Sequence, residues 1–304
     1  MPSLRTSCAT LVLSTAATLA GDASAAEPLY VARDVIGDGV FSAGIEGPAF
    51  GPDGALYAVS FGRDGTLGRV TFDADGAGTA ELFATLPAGS TGNGIRFGAD
   101  GGMFIADYSG HHVLRIAPGE REARVFARMP QAHQPNDIAL APDGMLYASD
   151  PKWADGTGQL WRIDADGTPH LLEAGMGTTN GVEVSPDGTR LYVNESVQRR
   201  VWVYDRAADG GVAGKRLLIA FDDHGLDGMR TDADGNLYIA RYDAGVVAVV
   251  SPDGALLREV ALKGRKPTNV AFGGTDGRTV YVTLQDRGAI EAFRVDVPGR
   301  ETGR

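Results

Sequence analysis

Cysteine is all but missing from this chain: Cys8 is the only one in 304 residues. A single thiol cannot close an internal disulfide, and metal sites built on paired thiolates have no residues to draw on. Long apolar runs are missing too. Ala9 to Ala20 is shorter than the ~20 residues a membrane-spanning helix needs, and no later segment approaches that length, so no membrane span is predicted. Positive charge is in deficit, with 28 Lys and Arg against 39 Asp and Glu and a net charge of −11. Such a field repels phosphate backbones and anionic surfaces, which argues against nucleic acid as a partner. No Gly-x-Ser-x-Gly elbow and no His-Glu-x-x-His helix occur, so serine-hydrolase and zinc-protease chemistry lack their usual anchors. Extended helix-period patterns are absent, whereas glycine is abundant at 43 residues. That combination predicts an all-β chain of short strands and tight turns.

The first residues read as an export signal. Arg5 supplies positive charge, Ala9 to Ala20 an apolar stretch, and Ala23-Ser24-Ala25 a run of small residues suited to cleavage. Residues 1–25 are therefore expected to be removed, taking Cys8 with them, and the mature protein to be secreted or periplasmic. Residues 26–304 are expected to form one domain.

That domain is repetitive. A turn of the type Pro-Asp-Gly recurs with its Asp at positions 53, 100, 143, 187, 234 and 276, in steps of 47, 43, 44, 47 and 42. Each turn follows a short apolar segment and precedes a second one, such as Leu56-Tyr57-Ala58-Val59 or Leu237-Tyr238-Ile239-Ala240. Third and fourth segments complete most units, for example Val201-Trp202-Val203-Tyr204 and Leu217-Leu218-Ile219-Ala220. Four strands in about 45 residues is one propeller blade, so the sequence predicts a six-bladed β-propeller of four-stranded blades. The last unit lacks a fourth strand after Ile290 to Val295. Leu29 to Val35 is expected to supply it, closing the ring and removing an exposed edge. The stretches Asp73 to Gly76 and Asp164 to Gly167 look like calcium loops, but their glycine comes too early, and they are read as hairpin turns. His111-His112 is read as a solvated pair in a turn.

Seven residues before each turn Asp stand Glu46, Asn93, Asn136, Asn180, Asp227 and Asn269. All six side chains carry oxygen, although the residues between them and the turn are mostly apolar. In a propeller the first strand of each blade lines the central channel, so the pseudo-sixfold repeat brings these groups toward one opening. Carboxylates gathered there without a counter-charge would repel one another, and a divalent cation would balance Glu46 and Asp227. Oxygen-only donors suit calcium or magnesium, and calcium best, since it accepts six to eight oxygens in loose geometry.

These residues, with Glu46-Gly47-Pro48, Pro135-Asn136-Asp137, Asn180-Gly181, Leu226-Asp227-Gly228-Met229, Gly235-Asn236-Leu237-Tyr238 and Thr268-Asn269-Val270-Ala271-Phe272-Gly273-Gly274, resemble the senescence-marker-protein, gluconolactonase and luciferin-regenerating-enzyme family of six-bladed propellers. The resemblance covers nearly the whole mature chain. It implies a metal site of Glu46, Asn136, Asn180 and Asp227, with Asn93 and Asn269 as outer ligands or substrate contacts. It also implies that Mg²⁺, Mn²⁺ or Zn²⁺ could replace Ca²⁺, and that a small lactone or ester is hydrolysed in the channel. Where some members carry an Arg that helps bind a sugar-acid lactone, this chain has Gln134.

Under that reading the cation polarises the lactone carbonyl and stabilises the oxyanion formed as water attacks. Asp227 is the candidate general base, and direct attack by its carboxylate stays open. Loops on the same face offer Tyr108, His133, Gln134, Asp150, Trp153, His224 and Tyr242 as pocket wall; His133, Gln134, Trp153 and His224 are the expected substrate contacts, with His133 and His224 placed to shuttle protons. Two rival functions stand beside this one: a non-catalytic binding propeller with a structural metal, and a related phosphotriesterase-type hydrolase using the same ion.

Overall fold

The computed structural model describes Leu4 and residues 27–301; the expected signal segment, Leu4 apart, lies outside the described residues. Six four-stranded antiparallel sheets follow one another around a ring, each ordered in sequence from the channel outward except the last. The inner strands are Ala49–Phe50, Gly92–Phe97, Ile138–Leu140, Thr179–Val184, Gly225–Thr231 and Pro267–Gly273. The one helical element among the described residues is the short 3₁₀ turn Trp153–Asp155. None of the helices described is long and apolar enough to cross a membrane.

The repeated turn has a local cause. The Asp carboxylate accepts the backbone N–H two residues on, from Ala55 (3.2 Å), Gly102 (2.9 Å), Met145 (3.2 Å), Thr189 (3.0 Å) and Arg278 (3.1 Å), an Asx turn. The glycine after each Asp takes a positive φ, from 67° to 87°, which costs glycine nothing. In the fifth blade Asp232 does the capping, accepting from Asp234 and Asn236. The two stretches that look like calcium loops are turns of the same kind: the Asp73 carboxylate accepts from the Asp75 and Ala77 N–H groups, and Gly167 N–H donates to Asp164 O at 2.9 Å.

Near-continuous apolar runs in the second strands, such as Leu56–Val59 and Thr279–Leu284, leave the sheets hydrophobic on both faces, so the blades stack. Six buried clusters result, one between each pair of neighbours. Tyr57, Val59 and Leu67 of the first blade meet Ile95, Ile105 and Leu114 of the second, and Tyr238, Val247 and Val249 of the fifth meet Val270, Val280 and Val282 of the sixth. Burial of this kind, at ~25 cal/mol per Å², holds the ring together without disulfides.

The ring closes through the N-terminus. Arg33–Ile36 pairs antiparallel with Ala289–Arg294 as the outer strand of the sixth blade, Arg33 opposite Ala292 and Ile36 opposite Ile290. The strand starts four residues later than expected because Tyr30 adopts a φ of 60° and turns the chain, leaving Leu29 and Val31 exposed. A second closure comes from the other terminus. Gly299 N–H donates to Gly277 O (3.0 Å), Ala233 N–H to Pro298 O (2.8 Å) and Arg300 N–H to Thr231 O (3.2 Å). The tail thus lies across the end of the channel where the first-to-second strand turns sit.

Candidate metal centre

Each inner strand begins at the opposite end of the channel from its turn, so the residues seven positions before the turns meet at one mouth. Glu46, Asn93, Asn136, Asn180 and Asp227 line a cavity of about 790 Å³ there. Asn269 is completely buried beside them and is not among the lining residues. Its Nδ2 donates to Glu46 Oε2 (3.0 Å), and its Oδ1 accepts from the Val270 N–H (2.9 Å). It packs so closely on the next strand that a Cβ at Gly228 would lie 1.9 Å from its Cγ; only glycine fits after Asp227. Asn269 therefore fixes Glu46 and has no oxygen facing the cavity.

The floor is electrostatically strained. Burial raises the Glu46 carboxyl to about 7, aided by the nearby Asp137 charge and partly offset by the Gly47 N–H, which donates to Glu46 Oε2. Burial also raises Asp227 well above the ordinary carboxylate range, with Glu46 adding to it. The two acids lie within hydrogen-bond reach of each other and share a proton unless a cation is present. Meanwhile Asn93 Oδ1, Asn136 Oδ1 and Asn180 Oδ1 are buried with no hydrogen-bond partner among the described residues. Buried acceptors are rarely left so. Among the described residues no group of three or more His, Cys, Asp or Glu gathers as metal ligands would, because this cluster holds two carboxylates and its other oxygens are amides. Two acids that repel and three orphaned amide oxygens fit a hard divalent cation.

Three residues farther along these strands lies a second group that the sequence reading did not single out. Arg96, Glu183 and Arg230 are all buried and stand three positions after Asn93, Asn180 and Asp227. Arg96 Nη1 is 3.5 Å and Arg230 Nη1 3.3 Å from the Asp137 carboxylate, and Arg96 Nη2 is 3.6 Å from Glu183 Oε2. From the C-terminal tail Arg300 Nε donates to Glu183 Oε1 (2.9 Å) and its Nη2 to Leu140 O (3.1 Å). The count that found the mouth residues could have found Arg96, Glu183 and Arg230. Arg300 belongs to no repeat and had no such signal.

Of the expected wall residues, Tyr108, Trp153, His224 and Tyr242 line the cavity, while His133, Gln134 and Asp150 do not. Asp150 holds that loop back, since its carboxylate accepts from the backbone N–H groups of His133 (2.8 Å) and Gln134 (2.6 Å) and from Trp161 Nε1 (3.0 Å). His133 Nε2 faces Gln159 instead (2.9 Å). His224 Nδ1 sits 3.2 Å from Asp223, which is itself bound by Arg241. Tyr242 donates its hydroxyl to Gln285. Arg199, Val197 and Asp243 also line the rim.

Residues 46–286 match the family model described as the SMP-30/Gluconolactonase/LRE-like region. Among curated proteins the chain is 28% identical over 215 residues to a gluconolactonase of Zymomonas mobilis, covering 63% of this chain and 60% of that protein. It is 33% identical over 220 residues to a 6-deoxy-6-sulfogluconolactonase of Pseudomonas putida, covering 66% and 75%. The chain thus spans 60% of the first relative's length. Among solved structures it superimposes on the calcium-binding protein regucalcin of Agrobacterium tumefaciens with a TM-score of 0.75 at 22% identity, covering 88% of this chain and 95% of that one.

Proposed function

The chain belongs to the SMP-30/gluconolactonase/LRE-like family, and we propose that it is a metal-dependent hydrolase that opens a small lactone at the mouth of its channel. The observation that carries this reading is the set of three unpartnered asparagine oxygens and two mutually repelling carboxylates, Glu46 buried and Asp227 half-buried, on the floor of a cavity of about 790 Å³. Glu46, Asn136, Asn180 and Asp227 would hold the ion, calcium by preference, and when bound it would supply electrophilic activation of the ester carbonyl. Lactonase relatives support a cyclic ester as the substrate class.

The chain's own groups divide the remaining work. Asp227, half-buried at the floor, is the carboxylate placed to take a proton from the attacking water. Asn269 and the Gly47 N–H hold Glu46 in one orientation, so the floor is set before substrate arrives. Asn93, with its free oxygen at the cavity wall, accepts a hydrogen bond from a ring hydroxyl. Tyr108, Trp153 and Tyr242 give the wall flat apolar faces that exclude water around the ring.

The test is metal analysis of the purified protein beside turnover of a panel of aldonolactones, aryl esters and phosphotriesters, with and without chelator. One divalent ion per chain, lactone turnover lost on chelation and restored on adding calcium, and a loss of at least 100-fold in Asp227→Asn are expected. Metal retained without turnover of any substrate would shift the reading to a binding propeller. Preferential phosphotriester turnover would shift it to the related hydrolase class.

A further inference from the structure

The six blades allow a comparison within one molecule. In every blade the residue immediately before the third strand adopts left-handed backbone: Gly65, His111, Gly156, Arg199, Gly245 and Gly288, with φ between 56° and 74°. In five of them its carbonyl also accepts a backbone N–H from the segment beyond an outer strand. The donors are Leu86, Met129, Phe221, Leu262 and, for the last blade, Phe41, all at 2.9–3.0 Å. The fold therefore fixes this conformation whatever the side chain. Four blades use glycine, which adopts it without strain; the second and fourth use His111 and Arg199. Of these two, only Arg199 lines the cavity.

Arg199 is exposed, and among the described residues its guanidinium makes no hydrogen bond or ion pair. Its company is otherwise unsuited to an anion, since Glu46 and Asp227 lie on the floor and Asp243 on the rim. The remaining cationic candidate on the wall, His224, already faces Asp223. A side chain held in left-handed backbone where four of its five counterparts are glycine, and without a partner among the described residues above an acidic floor, is the kind of outlier that marks a candidate functional position.

We propose that Arg199 is a specificity-determining residue that receives an anionic substituent, a carboxylate or sulfonate, on the substrate ring and holds it away from Glu46 and Asp227. A guanidinium pairs such groups with two parallel N–H donors, which would orient the ring while its ester faces the floor. The ring chemistry rests on the lactone reading above; recognition of the charge does not.

The experiment compares wild type, Arg199→Gly and Arg199→Lys on two lactones of equal ring size, a neutral aldonolactone and the aldarolactone that carries a terminal carboxylate. Arg199→Gly restores the residue found in four other blades, so it should fold and melt at or above the wild-type temperature. Its kcat/KM is expected to fall about tenfold more for the anionic than for the neutral lactone, through KM, as suits one exposed charge-assisted contact. Arg199→Lys should recover part of that loss. Calorimetric binding of methyl glucuronide against methyl glucoside, neither a lactone, reads charge recognition without turnover. Equal losses on both lactones, or no preference for the glucuronide in wild type, would overturn the assignment. Should neither lactone turn over, the lactone reading fails, and the glycoside pair still decides this one: a glucuronide preference abolished in Arg199→Gly upholds it.

Discussion

At the mouth of the channel Glu46, Asn136, Asn180 and Asp227 bring oxygen donors together with no cation of the chain's own among them, whereas one to three residues farther along the same strands Asp137 and Glu183 meet Arg96 and Arg230, with Arg300 joining from the tail. The backbone scaffold is shared. What differs is where the counter-charge comes from. The lower tier pairs its acids with its own guanidiniums, although Arg96 Nε, Glu183 Oε2 and Arg230 Nη2 lack a hydrogen-bond partner among the described residues, while the upper tier leaves two acids in conflict and three amide oxygens unpartnered with no cation beside them. A buried cluster whose charges balance within the chain is architecture; one whose acids have no counter-charge is prepared for a cation that arrives from outside.

Removing an acid should therefore act in opposite directions in the two tiers. The largest effect belongs to the lower one. Glu183 is wholly buried and binds Arg300 and Arg96, so Glu183→Gln leaves two guanidiniums short of compensation and should destabilise the protein by about 3–5 kcal/mol, read from urea unfolding. A loss below about 1 kcal/mol would mean that the tier is wetter and less closed than its geometry indicates.

In the upper tier the sign reverses when metal is removed. Glu46 raised from 4.5 to about 7 represents on the order of 3 kcal/mol of unfavourable environment for the charged form, and Asp227 keeps a proton to ease it. In chelator at pH 8 that proton must be taken up against the solvent. Asp227→Asn supplies a permanent N–H donor in its place and should stabilise the metal-free protein by roughly 1–3 kcal/mol, while abolishing the stabilisation that calcium gives wild type. Thermal unfolding with and without calcium separates the two; an Asn variant less stable than wild type in chelator would show that the acids are not in conflict.

Much of this was readable in advance, because the repeat writes it locally. The turn Asp and the residue seven before it are close in sequence, so one count finds the blades and places Glu46, Asn93, Asn136, Asn180 and Asp227 at one mouth. What escaped depends on contacts between blades or on the termini. Asn269 occupies the right register but faces Glu46, because the missing side chain of Gly228 lets it pack inward. His133 and Gln134 stand near Asn136 in sequence, yet the Asp150 carboxylate ties their N–H groups down outside the cavity. Arg300 enters the channel from a tail with no counterpart in any other blade, and Arg199 becomes conspicuous only when its φ is set beside those of Gly65, Gly156, Gly245 and Gly288.

The outer turns supply the control that isolates burial. Asp276 in the sixth blade pairs with Arg294 at 2.5 Å, an acid–guanidinium contact like that of Glu183, but its side chain is 46% exposed. Arg294 is the main reason its carboxyl lies at about 2, below the ordinary 3.8. A depressed carboxyl stabilises the fold fully above the unfolded value and loses that contribution as pH falls toward the folded one. Solvent screens the pair, so Asp276→Asn should cost less than about 1 kcal/mol at pH 7. Asn can keep the turn bond to the Arg278 N–H, so only the charge is removed. The gap between wild type and variant should hold constant down to about pH 4 and then narrow toward about pH 2, as followed by urea unfolding across that range. If the surface pair proved as costly to break as Glu183, the large effect expected in the lower tier would owe nothing to burial.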